Sequence, residues 1–130
     1  MNMKYYKCGI CGQIIMIVKE SGVPVECCGE PMKEIIPGST DTSAEKHVPV
    51  YDVVDGKISV MVGSTLHPMT ETHYIEWIAV ETNFGIHIRF LKPGGEPRVS
   101  FQLNEGESVE AVLAFCNLHS LWKSTRSIFG

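Results

Sequence analysis

Four of the chain's five cysteines, Cys8, Cys11, Cys27 and Cys28, crowd into its first 28 residues. A run of turn formers, Pro37-Gly38-Ser39-Thr40-Asp41-Thr42-Ser43, follows them and sets an expected boundary. The expected division is a small unit over residues 1–37 and a larger one over 38–130. A segment of about 37 residues buries too little surface to fold unaided; it needs a disulfide, a metal or a partner chain. An odd cysteine count weakens a disulfide framework. The start, Met1-Asn2-Met3-Lys4-Tyr5-Tyr6-Lys7-Cys8, lacks the apolar core of an export signal. The expected setting is therefore the reducing cytoplasm, where thiolates bind metals or do chemistry.

The spacing of the cysteines favours a metal. In Cys8-x-x-Cys11 the two-residue spacer lets both sulfurs converge on one ion. Cys27-Cys28 is less usual, because adjacent side chains of a strand point to opposite faces. Both can reach one ion only if the backbone turns sharply between them, and Gly29 and Pro31 favour such a turn. Four thiolates suit tetrahedral zinc and tetrahedral iron alike.

The remainder of the chain reads as strands. Val50–Val54 and Lys57–Val62 flank Asp55-Gly56, a strong hairpin signal. His73–Glu81 is rich in β-branched and aromatic residues. Ile86, Ile88 and Phe90 share one face of Ile86–Leu91, with His87 and Arg89 on the other. Arg98–Leu103 and Val109–Cys116 alternate, although the alanines of Glu110–Ala114 also suit a helix. Short strands with regular turn signals predict an antiparallel β-sandwich. The longest aliphatic run, Ile14–Val18, is far short of the roughly 20 apolar residues of a membrane helix. A net charge of −4 argues against nucleic acid as the main partner, and any cationic feature must be local.

All five histidines, His47, His67, His73, His87 and His119, lie in this second part, together with Cys116. His87, on the polar face of its strand, reads as an ordinary surface residue. Cys116-x-x-His119 resembles the closing loop of a blue-copper site, but the last methionine is Met69, so no axial methionine follows His119. The alternative is non-haem iron held by several imidazoles and one thiolate, which leaves one position of an octahedral ion open. An electron carrier that passes electrons through one or both metals is a further reading that metal ligands alone do not separate.

Four motifs in order give the chain a family resemblance. They are Cys8-x-x-Cys11 with Cys27-Cys28-Gly29-Glu30-Pro31-Met32; Glu45-Lys46-His47-Val48-Pro49; His67-Pro68-Met69 with His73-Tyr74-Ile75-Glu76-Trp77-Ile78; and Cys116-Asn117-Leu118-His119-Ser120-Leu121-Trp122. Together they resemble the desulfoferrodoxins, two-iron superoxide reductases, over almost the whole length. The resemblance implies an all-β chain: a desulforedoxin-like metal module, then an immunoglobulin-like sandwich. It implies iron bound by Cys8, Cys11, Cys27 and Cys28, a position zinc also suits. It implies a second, ferrous centre with His47, His67, His73 and His119 in a plane, Cys116 axial, and the sixth position open for superoxide. The implied reaction is one-electron reduction of superoxide to hydrogen peroxide, with a rubredoxin-like donor and a homodimeric protein. Within it, Lys46 is the candidate for attracting the anion and Glu45 for closing the open position once peroxide leaves. The amides of Leu118 and His119 are candidates for hydrogen bonds to the Cys116 sulfur, and Trp77 and Trp122 read as packing. One departure is Ser120, where the family commonly has glycine; it bears on loop geometry.

Overall fold

A computed structural model describes residues 3–38, 47–63 and 66–125, and every element it defines among them is a strand. The chain divides into two compact units, one ending at Ile36 and the other beginning at Pro37. No helix of the described residues is long and apolar enough to cross a membrane.

In the first unit, strands β1 (Lys4–Lys7), β2 (Ile14–Ile17) and β5 (Lys33–Glu34) form a small antiparallel sheet with β1 in the middle. Strands β3 (Glu26–Cys27) and β4 (Glu30–Pro31) form a separate hairpin. Of the described hydrophobic side chains here, only Tyr5, Cys8 and Met32 are buried. That is too little apolar surface for a core, as the length of the segment predicts.

The second unit is a sandwich of two antiparallel sheets. One has β10 (Arg98–Gln102), β7 (Lys57–Val62) and β6 (Pro49–Val54) in that order. The other has β12 (Ser120–Ser124), β11 (Val109–Cys116), β8 (Ile75–Thr82) and β9 (Gly85–Phe90). The predicted hairpin is present: Val54 pairs with Lys57, and Asp55 and Gly56 between them take φ of 52° and 75°. Both central residues are left-handed, as the turn that matches strand twist requires. Period-two patterning then sends Ile58, Val60 and Val62 of β7 inward against Ile78, Val80, Val112 and Ala114 of the facing sheet. Each such valine or isoleucine contributes roughly 1.5–3 kcal/mol on burial. Glu110–Ala114, which also suits a helix, lies within β11.

Two details differ from the sequence pattern. His73 does not open a strand, because β8 begins at Ile75. Thr70 and His73 exchange backbone hydrogen bonds of 3.0 and 3.3 Å, and the Thr70 hydroxyl also donates to the His73 carbonyl and accepts from its N–H. A closed turn has taken the groups a ladder would need. On β9 the alternation holds, but the apolar side is not an enclosed one: Phe90 is 73% and Ile88 41% accessible. His87 and Arg89 instead lie against the ring of Phe101.

At the end of the sandwich that carries the β8–β9 turn, Glu107 is almost enclosed, with its side chain 2% exposed. It accepts hydrogen bonds from the Asn104 amide (2.9 Å), the Thr82 hydroxyl (2.6 Å) and His87 Nε2 (2.8 Å). These donors, the Asn104 amide foremost, hold its carboxyl down at about 2, against an ordinary 4.5. A carboxylate whose folded pKa is depressed stabilises the fold above its unfolded pKa and loses that contribution as pH falls through the folded one. Glu107→Gln should therefore lower the melting temperature at neutral pH. The gap to the parent protein should narrow as pH is lowered from about 4.5 towards 2, as scanning calorimetry over that range would record.

Candidate metal centres

The first candidate centre is built by two turns of the first unit. After β1, the amides of Ile10 and Cys11 point at the Cys8 sulfur at 3.4 and 3.5 Å. These amides lower the Cys8 thiol to about 6, so its thiolate forms readily. Between β3 and β4, Cys28 and Gly29 take φ of 55° and 78°. This left-handed pair reverses the chain within two residues and lets neighbouring side chains face the same point. The Cys27 sulfur stands 3.6 Å from that of Cys11 and 4.0 Å from that of Cys28. All four sulfurs lie within 4.8 Å of one another. Sulfurs about 2.3 Å from a common tetrahedral ion stand about 3.8 Å apart, so the group fits a metal. Hydrogen bonding with Cys11 and Cys8 pushes the Cys27 thiol up to about 12, so this cluster of thiols does not ionise fully without a cation. Cys8 is buried, whereas Cys11 and Cys28 are exposed.

The second candidate centre lies at the opposite end of the sandwich from the Glu107 cluster. Two strand pairs deliver it. His47 precedes β6 and His67 follows β7, and Pro49 pairs with Val62 at the open end of that hairpin. Hydrogen bonds from Gly63 N to Val48 O and from His67 N to Val62 O carry the pairing outward to the histidines. His73 precedes β8 and Cys116 ends β11, and these strands are also antiparallel neighbours. Donor atoms of His47, His67, His73 and Cys116 consequently lie within 4.8 Å of one another. His119 adjoins this group, with Nδ1 3.0 Å from His47 Nε2 and 3.8 Å from the Cys116 sulfur. Nitrogens about 2.1 Å from one ion and at right angles to each other stand about 3.0 Å apart.

The protonation states suit a cation. His67 Nδ1 donates to the Pro68 carbonyl at 2.7 Å, which leaves the lone pair on Nε2. That Nε2 is buried with no hydrogen-bond partner among the described residues, an arrangement a metal would satisfy. Burial pushes the His67 imidazole down to about 4, so it is neutral at pH 7. Burial pushes the Cys116 thiol up, and hydrogen bonds from the Leu118 and His119 amides oppose that shift. The sulfur sits on the enclosed side of the group, while His119 is exposed and His73 partly so. Glu45 and Lys46 lie outside the described residues.

Supporting side chains complete the site. Trp122 stacks on the His47 ring, with centroids 4.8 Å apart and planes 20° apart, and its Nε1–H donates to the His119 carbonyl at 3.0 Å. Gly38 lies flat against that indole, where a Cβ would come within 2.9 Å of Cζ3. Trp77 stacks on Phe115 away from the histidines. His87, hydrogen-bonded to Glu107, takes no part. Sequence reasoning missed Asn117, which bonds to Thr72 and Tyr74 on either side of His73. Its position beside Cys116 was the only available signal.

Residues 39–125 match the family described as Desulfoferrodoxin, and residues 1–35 match Desulfoferrodoxin, N-terminal domain. The chain belongs to the desulfoferrodoxin family. A desulfoferrodoxin homolog of Archaeoglobus fulgidus is 45% identical, covering 94% of this chain and 96% of that protein. The desulfoferrodoxin of Nitratidesulfovibrio vulgaris is 41% identical, covering 92% and 93%. Among solved structures, the superoxide reductase from Treponema pallidum superposes with a TM-score of 0.79 at 31% identity, covering 95% of this chain and 97% of that one. The two groups of side chains fit the two iron centres of a desulfoferrodoxin, and zinc suits the four sulfurs of the first equally well.

Ser120, at the position where desulfoferrodoxins commonly have glycine, has φ of 67°. Cys116 pairs with Ser120 across the three-residue loop Asn117–His119, and the chain re-enters the ladder through that left-handed residue. A side chain there costs about 1–2 kcal/mol, partly offset because glycine loses about 0.4–1 kcal/mol more on folding. Ser120→Gly should therefore stabilise the protein by about 0.5–1 kcal/mol, read as a higher denaturant midpoint at unchanged slope.

Proposed function

We propose that this chain is a superoxide reductase, which combines superoxide with one electron and two protons to give hydrogen peroxide. The observation that carries the reading is the convergence of four imidazoles and one enclosed thiolate on one point near the surface. The 31% identical superoxide reductase of Treponema pallidum, similar over nearly the full length, supports it. An iron(II) ion held by His47, His67, His73, His119 and Cys116 would supply the electron.

The residues divide the remaining work. His67, neutral and aimed by its bond to Pro68, offers Nε2 as a donor. Cys116 lies fully enclosed, so its sulfur donates from the dry side while the amides of Leu118 and His119 temper its charge. The partly exposed His73 and the exposed His119 leave a small anion a way in from the side away from sulfur. Lys46, beside His47 in sequence, supplies local positive potential in a chain of net charge −4. Glu45, two residues before His47 in sequence, would offer its carboxylate to the iron once peroxide has left.

Exposure of Cys11 and Cys28 supports electron entry through the first centre as well as a folding role. A rubredoxin-type carrier is the proposed donor. A homodimer is supported by the exposed Phe84, Ile88 and Phe90 along the hairpin that ends at the edge strand β9. Five free thiols, four of them in one metal-binding group, support a cytoplasmic setting.

Reduced, iron-loaded protein mixed anaerobically with substoichiometric superoxide should yield one peroxide per superoxide and no dioxygen. Half that peroxide with dioxygen evolved would instead mean a dismutase, and neither product above background an electron carrier. Stopped-flow measurement at low ionic strength should find Lys46→Ala about tenfold slower with superoxide. Rising salt should close the gap, because screening removes steering.

A further inference from the structure

Asn117 directly follows Cys116 and makes three hydrogen bonds to the turn that carries His73. Its backbone N–H donates to the Tyr74 carbonyl at 3.2 Å. Its Oδ1 accepts from the Tyr74 N–H and its Nδ2 donates to the Thr72 carbonyl, both at 3.0 Å. His73 is thus bracketed by two residues tied to one side chain. The strand ladder cannot do this: the β8–β11 register shifts between Phe115 and Cys116, and its last pair is Cys116 with Ile75. Beyond that irregularity, the Asn117 amide supplies the cross-links the ladder lacks. Both ends of the amide are used, so aspartate would lose the donor, alanine would lose both, and glutamine would stand one methylene too far out.

We infer that Asn117 is a positioning residue of the second centre, setting where the His73 imidazole stands relative to the Cys116 sulfur. This rests on the metal-site reading above and is independent of the superoxide reaction. A loop staple would also cost stability when removed, but it would leave the metal environment alone.

The test uses full-length protein loaded with cobalt(II). The thiolate-to-cobalt absorption that Cys116→Ser removes is taken as the signal of this centre. In Asn117→Ala that signal should shift or weaken, and the centre should lose cobalt to a chelator about 10–100 times more readily. Asn117→Asp, which keeps the acceptor for the Tyr74 N–H, should fall between. The absorption that survives Cys116→Ser, from the four-cysteine group, should be the same in both variants. If both keep the parent signal and the parent cobalt affinity, and only the melting temperature drops, Asn117 is a staple and the inference is wrong. If Asn117→Ala does not fold, Asn117→Asp decides: an altered signal supports the inference and an unaltered one overturns it. If Cys116→Ser removes no absorption, the metal-site reading falls and the inference falls with it.

Discussion

The antiparallel pairing of β8 with β11 is the interaction on which the second unit depends. It joins the middle strands of the four-stranded sheet, and both are enclosed along nearly their whole length. It also sets the chemistry, because antiparallel neighbours bring the start of one strand beside the end of the other. His73 therefore meets Cys116, and the β6–β7 hairpin brings His47 to His67 by the same geometry. His47 with Cys116 and His47 with His119, 69 and 72 positions apart in sequence, become neighbours because the two sheets pack face to face with these strand ends at one rim.

The two candidate centres answer different physical needs. In the first unit, three buried hydrophobic side chains cannot offset the entropy of ordering some 35 residues, so convergent thiolates take the place of a core. In the second unit the sandwich core is already complete, and the donors sit at its rim, on loops that the strands hold in place. A rigid frame with its donors at strand ends keeps a reactive position near solvent while enclosing the sulfur behind it.

Ser120 and Trp122 show how closely the ligand loop is constrained by its surroundings. A left-handed residue closes the loop after His119, and serine accepts that conformation at some cost in strain. Two residues on, the indole of Trp122 braces the His47 ring and the His119 carbonyl together, with Gly38 leaving room behind it. At the other end of the same sandwich, the enclosed Glu107 uses the commonest polar groups to tie two turns, and His87 belongs to that purely structural network.

Much of this was legible in one dimension. Cysteine spacing, the Asp55-Gly56 turn and period-two alternation are local signals, and local stereochemistry obliges the chain to obey them. The need for a reversal between Cys27 and Cys28 follows from their adjacency, since neighbouring side chains of a strand diverge. What tertiary structure alone decided are matters of partner and side. The closed Thr70–His73 turn overrode the strand propensity around His73. The apolar face of β9 turned outward, because which face is enclosed depends on the strand's position at the sheet edge and not on its pattern. Asn117 escaped notice because an asparagine has no periodicity of its own; its meaning comes from Thr72 and Tyr74, which only folding brings within hydrogen-bonding distance.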